Sequence, residues 1–268
     1  MEFCKDIKKG RKIKAVLFDF DGTFSTLRCG WEGVMRKLML KVLSNGKDDA
    51  ELEKTVDEYI DYSTGIQTVK QMKWLVQQSL ERTGKAKDMW DYKADYNDML
   101  MEMLADKKKS LEEGTAKPEE FLVAGSEKLL KSLKEAGIKI FVASGTDHAD
   151  VVKEAKLLGI DKYFDELCGA PERCEDCSKE KVMSELLEKC GYSGDELCVA
   201  GDGKVEIALG NNAGALTIGV ASDEQKLCGV NAKKRERLIK AGADVIIGDY
   251  LELGKIMSLM EGKDNEVQ

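Results

Sequence analysis

The chain has 268 residues, 43% hydrophobic and 34% charged, enough apolar material for one large or two modest domains under a well-solvated surface. A net charge of −8 argues against a nucleic-acid binder, which needs a basic face, and means that an anionic ligand must be met by local positive charge. No apolar stretch approaches the roughly 18 residues of a membrane span, and the basic cluster Lys8, Lys9, Arg11, Lys12 and Lys14 leads into a strand rather than a signal-peptide apolar region, so a cytoplasmic protein without a membrane partner is expected.

The first element is a buried strand over Ile13-Lys14-Ala15-Val16-Leu17-Phe18, an apolar, β-branched run. Directly after it stand Asp19-Phe20-Asp21-Gly22-Thr23-Phe24. Two carboxylates at the C-terminal end of a strand suggest a site, because open α/β sheets bind ligands there. One carboxylate can attack an electrophile while the other gives and takes a proton. Gly22 lets the chain turn away, and the Thr23 hydroxyl is expected to hold the loop. The bland alternative is a simple Asp-Gly turn.

Residues 27–117 read differently. Trp31, Val34, Met35, Leu38 and Val42 recur at helical spacing, as do Ile66, Val69, Met72, Val76 and Leu80, and Tyr92, Tyr96, Met99, Leu100 and Met103. No strand-like run interrupts them. Seven of the 11 methionines fall here, as suits a pliable helix-bundle core. The chain after residue 118 alternates helix and strand. A helix over 126–136 stops at Gly137, and the strand Ile138-Lys139-Ile140-Phe141-Val142-Ala143 ends in Ser144-Gly145-Thr146-Asp147, whose hydroxyls and backbone N–H groups can hold a phosphate at the next helix. That helix, 150–158, stops at Gly159. Ser178-Lys179 opens an amphipathic stretch through Val182, Met183, Leu186 and Leu187; a lysine there opposes the helix dipole, so an anionic partner is plausible. The strand Leu197-Cys198-Val199-Ala200 runs into Gly201-Asp202-Gly203-Lys204-Val205-Glu206, and further strands follow at 215–220 and 244–247. The pattern is that of a doubly wound, Rossmann-like parallel sheet. The tail after Gly262 is expected to fray.

Eight cysteines include the run Cys168, Cys174 and Cys177, whose C-x2-C step can begin a zinc site. The only histidine is His148, and in a reducing cytosol unpaired thiols are the default.

The four polar segments together resemble the haloacid dehalogenase-like superfamily, whose motifs are DxDxT, a Ser or Thr ending a strand, a Lys, and GDxxxD or a close variant. Here they are Asp19-Phe20-Asp21-Gly22-Thr23, Ser144, Lys179 (preferred to Lys181 because apolar residues follow three and four positions on) and Gly201-Asp202 with Glu206 in place of the usual Asp. The likeness covers nearly all of the chain outside 27–117, and that insert resembles the helical C1 cap which closes over the active site of such proteins. It implies an α/β core of residues 1–26 and 118–268 with a cap of residues 27–117. It also implies a phosphatase in which Asp19 attacks phosphorus, Asp21 serves as acid and base, and Ser144, Gly145 and Lys179 bind the phosphoryl oxygens. Mg²⁺ would be held by Asp19, Asp21 through its backbone carbonyl, and Asp202, with Glu206 in support. The substrate would be a small phosphorylated metabolite, a phosphosugar among others. Arg28, Trp31 and the segment Thr64-Gly65-Ile66-Gln67 are its candidate contacts.

Relatives with other activities fit less well. Dehalogenases lack the second Asp, P-type ATPases span membranes, and β-phosphoglucomutases usually carry a His in the segment that here runs from Ser25 to Val34 without one. A catalytically silent binding protein stays the alternative from another class.

Overall fold

The computed structural model describes residues 1–8, 10–44, 49–174 and 179–263. Lys9, Cys177, Ser178 and the tail after Lys263 lie outside the described residues, as does the Leu187 side chain.

Strand β2 (Ala15–Phe18) lies in the interior of a seven-stranded sheet and is buried along its whole length. β3 (Lys139–Asp147) and β5 (Leu197–Gly201) flank it, both parallel to it. β4 (Glu166–Ala170) lies outside β3, and β6 (Leu216–Val220) and β7 (Val245–Ile247) extend the other side. A two-residue strand β1 (Glu2–Phe3) closes the β7 edge antiparallel. Leaving β1 aside, the order β4-β3-β2-β5-β6-β7 reverses direction at β2. Ligand crevices of doubly wound sheets open at such a switch point, beyond the strands' carboxyl ends.

Both faces of the sheet are covered, which is why its strands read as continuous apolar runs. Val16, Phe18, Ile140 and Val142 pack on one side with α5 (Ser126–Glu135), α6 (His148–Leu157) and α10 (Leu253–Met260). Ala15, Leu17, Phe141 and Val199 face the other side, toward α7 (Lys179–Cys190) and α8 (Lys204–Asn212). A ninth helix, α9 (Ala232–Lys240), covers β6 and β7.

Four helices separate β2 from β3: α1 (Trp31–Leu43), α2 (Ala50–Tyr62), α3 (Thr68–Thr83) and α4 (Met89–Glu112). Asp49 caps α2 by accepting from Leu52 N at 2.9 Å, and Asp88 caps α4 by accepting from Trp90 N at 2.8 Å. They enclose their own apolar core, including Met35, Met39, Met72, Leu75, Tyr96 and Leu100, with Tyr59 stacked on Trp74. The apolar stripe of α3 runs through Val69, Met72 and Leu75, while Leu80 is exposed. α4 rests on the sheet-bearing part: Lys107 Nζ donates to Leu27 O at 2.8 Å, Asn97 Nδ2 donates to Asp147 Oδ2 at 3.1 Å, and Lys93 pairs with the same carboxylate.

Three details depart from expectation. β3 continues through the Ser144-Gly145-Thr146 segment to Asp147, with a register irregularity after Ala143, rather than ending there. β4, Glu-Leu-Cys-Gly-Ala, has too little apolar character to announce a strand. The Thr23 hydroxyl is buried without a partner; Ser222 Oγ instead donates to Gly22 O, and Tyr250 OH donates to Thr23 O at 2.9 Å. None of the described helices is long and apolar enough to cross a membrane.

Candidate active site

The carboxyl ends of β2, β3 and β5 meet in a cleft of about 100 Å³ that is roofed by Trp31, Tyr96 and the break between α2 and α3. Asp19 continues the β2 ladder, its N–H donating to Ala200 O at 2.9 Å, so its side chain is aimed by the sheet itself. Asp19 is 6% exposed, and its Oδ1 accepts from Lys179 Nζ at 2.8 Å. Lys179, the first residue of α7, also pairs with Glu206. Lys181, two positions on, is exposed.

Glu206 is longer than the Asp found in the motif, and glycines make room for it. A Cβ at Gly201 would lie 2.6 Å from Glu206 Cγ, and one at Gly203 would lie 2.5 Å from its Oε2. Gly22 is needed twice over: its φ is +71°, and a Cβ would fall 2.4 Å from Asp202 Oδ2.

Asp21 turns its side chain into the same cleft, with 23% of its surface open. Its Oδ2 accepts from Thr146 Oγ1 at 2.8 Å, while Oδ1 is buried without a hydrogen-bond partner, 3.8 Å from Arg28 Nε. Arg28 lies in the cleft wall, but its guanidinium grips Glu154 with two bonds of 3.0 and 2.8 Å. Glu154 is fully buried on α6 and takes a second cation, Lys108 of α4, at 2.9 Å. Ser144 is 6% exposed, and its Oγ accepts from Thr146 N at 3.1 Å.

Asp202 meets an unexpected partner. Lys234 Nζ lies 2.8 Å from Asp202 Oδ2, donates to Glu224 Oε1 at 2.6 Å, and donates to Ser222 Oγ at 3.2 Å. Arg237 Nη2 donates to the Asp202 carbonyl at 3.2 Å, and Nη1 reaches Asp61 and Thr64 at the end of α2.

The electrostatics follow from crowding carboxylates in a dry place. Burial pushes the Asp19 carboxyl up to about 8, with Glu206 and Asp202 adding to the rise against the pull of Lys179. Burial likewise lifts Asp21 to about 6, opposed chiefly by Arg28. Burial would lower Lys179, but Asp19 and Glu206 hold it above the ordinary lysine range. Burial would raise Glu154, yet Arg28 and Lys108 keep it below the usual carboxylate range. Counted as ionised, four carboxylates around Asp19 (Asp19, Asp202, Glu206, Glu224) face two ammonium groups, Lys179 and Lys234, an excess of two negative charges. Glu206 Oε2 is also buried without a partner. A divalent cation with oxygen ligands fits that imbalance. Among the described residues no three His, Cys, Asp or Glu side chains surround a common point, so an ion there would draw on carboxylates, a backbone carbonyl and water.

The structure thus brings Asp19, Asp21, Arg28, Trp31, Ser144, Gly145, Lys179 and Asp202 to one cleft, with Glu206 behind Lys179. Gln67 is buried with both amide atoms unpartnered and lines an adjoining hollow of about 230 Å³ behind Gly145. Glu154, Lys234 and Glu224 were not visible in the sequence: each sits on a charged segment that reads as a solvated face. Lys234 had no signal at all within Lys233-Lys234-Arg235-Glu236-Arg237. Cys168 is half-buried with its Sγ donating to Glu166 Oε1 at 3.5 Å, and Cys174 is half-buried as well. The lone histidine has a structural contact, its Nδ1 accepting from Gly169 N at 3.3 Å.

A family model for haloacid dehalogenase-like hydrolases matches residues 13–214. The chain is 29% identical over 211 residues to the protein named "Putative pyrophosphatase PpaX" of Clostridium perfringens, covering 78% of this chain and 84% of that one. A protein of the same name from Caldanaerobacter subterraneus is 24% identical, covering 95% and 99%. The fold is similar to that of a β-phosphoglucomutase from Clostridium difficile (TM-score 0.66, 18% identity, covering 96% of this chain and all of that one). It is also similar to a predicted phosphoglycolate phosphatase from Haemophilus somnus (TM-score 0.62, 17% identity, covering 91% and 98%). Sheet order, the paired aspartates at the switch point and the match over most of the chain agree: this protein belongs to the haloacid dehalogenase-like hydrolases.

Proposed function

We propose that the protein is a Mg²⁺-dependent phosphatase that hydrolyses a small phosphorylated metabolite through an aspartyl-phosphate. The observation that carries this reading is the pair Asp19 and Asp21 at the end of β2, facing one cleft with Lys179 and Ser144. Asp19 Oδ2 would attack phosphorus while Lys179 and the Ser144-Gly145 segment hold the phosphoryl oxygens, where charge must be stabilised. Asp21, lifted to about 6, is matched to neutral solution both for protonating the leaving oxygen and for deprotonating the water that then cleaves the intermediate. Mg²⁺, held by Asp19, Asp202 and the Asp21 carbonyl with Glu206 behind, would supply charge neutralisation at the phosphoryl group. Lys234 and Glu224 would keep Asp202 in place.

Residues 27–117 act in this reading as the cap, and the small cleft beneath them suits a metabolite better than a phosphoprotein. Trp31 and the Thr64-Gly65-Ile66 break, which line the cleft, would meet the part of the substrate that leaves, whereas Arg28 is held by Glu154 and Gln67 faces the adjoining hollow. The similarity to PpaX proteins favours a second reading for the substrate, inorganic pyrophosphate, in which the leaving group is itself phosphate. The test is turnover of p-nitrophenyl phosphate, pyrophosphate and a phosphometabolite panel by wild type and Asp19→Asn in Mg²⁺. No turnover of any of them by the wild type, or equal turnover by the variant, would reject the proposal.

A further inference from the structure

Glu154 has no place in the chemistry above, yet it is fully buried and holds two cations. A buried carboxylate is costly, and replacing such ion clusters by apolar groups is often neutral or stabilising. Its geometry suggests a use. Arg28 has three carboxylates within reach of one side-chain swing: Glu154, gripped at 2.8 and 3.0 Å, Asp150, whose Oδ2 accepts from Nη2 at 3.5 Å, and Asp21, whose unpartnered Oδ1 is 3.8 Å from Nε. The last distance lies just outside hydrogen-bond reach. Released from Glu154, the guanidinium would keep only its long 3.5 Å contact to Asp150 and would close on Asp21, since Arg–carboxylate pairs favour bidentate contact. It would then compete with Thr146, whose Oγ1 now orients Oδ2 at 2.8 Å, and turn the carboxyl away from the substrate.

We infer that Glu154 is a positioning residue that holds Arg28 off Asp21, leaving the Asp21 carboxyl oriented by Thr146 alone and free to serve the leaving group. Lys108 of α4, on the same carboxylate at 2.9 Å, ties this restraint to the seating of the four-helix insert. The inference rests on the proposed role of Asp21. In that step the bond from Asp19 to phosphorus forms as the ester P–O bond breaks. The bonding pair goes to the ester oxygen, and the proton on Asp21 follows it.

The test uses leaving groups. An alkyl phosphate such as butyl phosphate needs that proton, whereas p-nitrophenyl phosphate leaves as the stable phenolate. Glu154→Gln keeps the shape and one acceptor but loses the charge. It should lower kcat/KM for butyl phosphate about 10²-fold, the lower end of a general-acid contribution, and for p-nitrophenyl phosphate by under threefold. Slowed hydrolysis of the intermediate should give a pre-steady-state burst of p-nitrophenol. Removing the cation as well, in Arg28→Met/Glu154→Gln, should restore the ratio between the two substrates. Lys108→Met disturbs the same buried cluster and should leave that ratio unchanged. Equal losses on both substrates, no restoration in the double variant, or the same selective loss in Lys108→Met would overturn the inference. If Glu154→Gln does not fold, Glu154→Asp takes its place with a smaller selective loss expected; no selectivity in it refutes the idea equally. Asp21→Asn separates the two levels. If it shows no leaving-group dependence, the role of Asp21 falls and the inference with it; if it does and Glu154→Gln does not, the inference alone falls.

Discussion

Asp19→Asn should do two opposite things: end turnover and stabilise the metal-free protein. The first follows because a carboxamide cannot form the acyl phosphate. The second follows from the charge around β2. Asp19 is 6% exposed, and the rise of its carboxyl from 3.8 to about 8 corresponds to a bound near 6 kcal/mol against the ionised form, at about 1.4 kcal/mol for each tenfold change. Its pairing with Lys179 and relaxation of the open cleft reduce the gain, so about 2 kcal/mol is expected. The asparagine Oδ1 can still accept from Lys179, which keeps Glu206 as its counter-ion.

The sign with pH is definite. A carboxyl raised on folding makes the folded state bind more protons than the unfolded one between about pH 4 and 8, so wild-type stability falls across that window as pH rises. Calorimetry in chelator should therefore give similar midpoints for wild type and variant at pH 4.5, and a variant higher by roughly 5 °C at pH 8.5, at about 2–4 °C per kcal/mol for a chain somewhat smaller than this one. Saturating Mg²⁺ should raise the wild-type midpoint more than the variant's, because only the former offers the full carboxylate set. A variant less stable than wild type at pH 8.5, or a gap that widens toward acid, would refute the charge argument.

Asp21→Asn should fold and bind metal yet lose roughly 10²–10⁴ in rate, seen in the chemical step by rapid quench; a loss under tenfold would move proton transfer elsewhere. Lys179→Ala should cost about 1.5–3 kcal/mol in kcat/KM, the scale of a charge-assisted hydrogen bond, while the exposed Lys181→Ala should change little; the reverse order in a steady-state assay would overturn the placement of that motif. Chelation should silence turnover reversibly, with Ca²⁺ a poor substitute because it prefers more ligands at longer distances; full activity in excess chelator would count against the metal assignment. Folded phosphoproteins should be poor substrates beside small phosphomonoesters, and efficient release of phosphate from one would show that residues 27–117 are no closing lid.

The legible parts of this molecule were those whose physics is local. The β2 run is buried on both faces, so its apolar letters stand out, and a carboxylate at its end contradicts them sharply enough to be noticed. Helices α1, α3 and α4 announced themselves by a stripe, although the stripe of α3 was read one position off at Leu80; α2 was not read from the sequence. Gly137 and Gly159, both at positive φ, ended α5 and α6 as expected. β1 and β4 are strands because the sheet edge is there to receive them; their own residues do not demand it.

The unreadable residues share a different property: each is a charge whose partner lies far along the chain. Glu154 sits between Lys153 and Ala155 on a helix where most of its charged neighbours face water, and nothing local marks it as the one beneath α4. Lys234 is one of five consecutive charged residues, yet among them it is the one that pairs with the Asp202 carboxylate, while Arg237 meets only the carbonyl. Helical periodicity would even have placed Glu154 correctly on the buried face with Val151 and Ala155, but a charge on an apolar stripe is normally discounted as a flank. The better rule for such a stripe is to treat the misfit charge as a request for a counter-ion. Here the request is answered from both sides, by Arg28 beside the paired aspartates and by Lys108 on the insert, so one buried carboxylate spans the junction where the site is assembled.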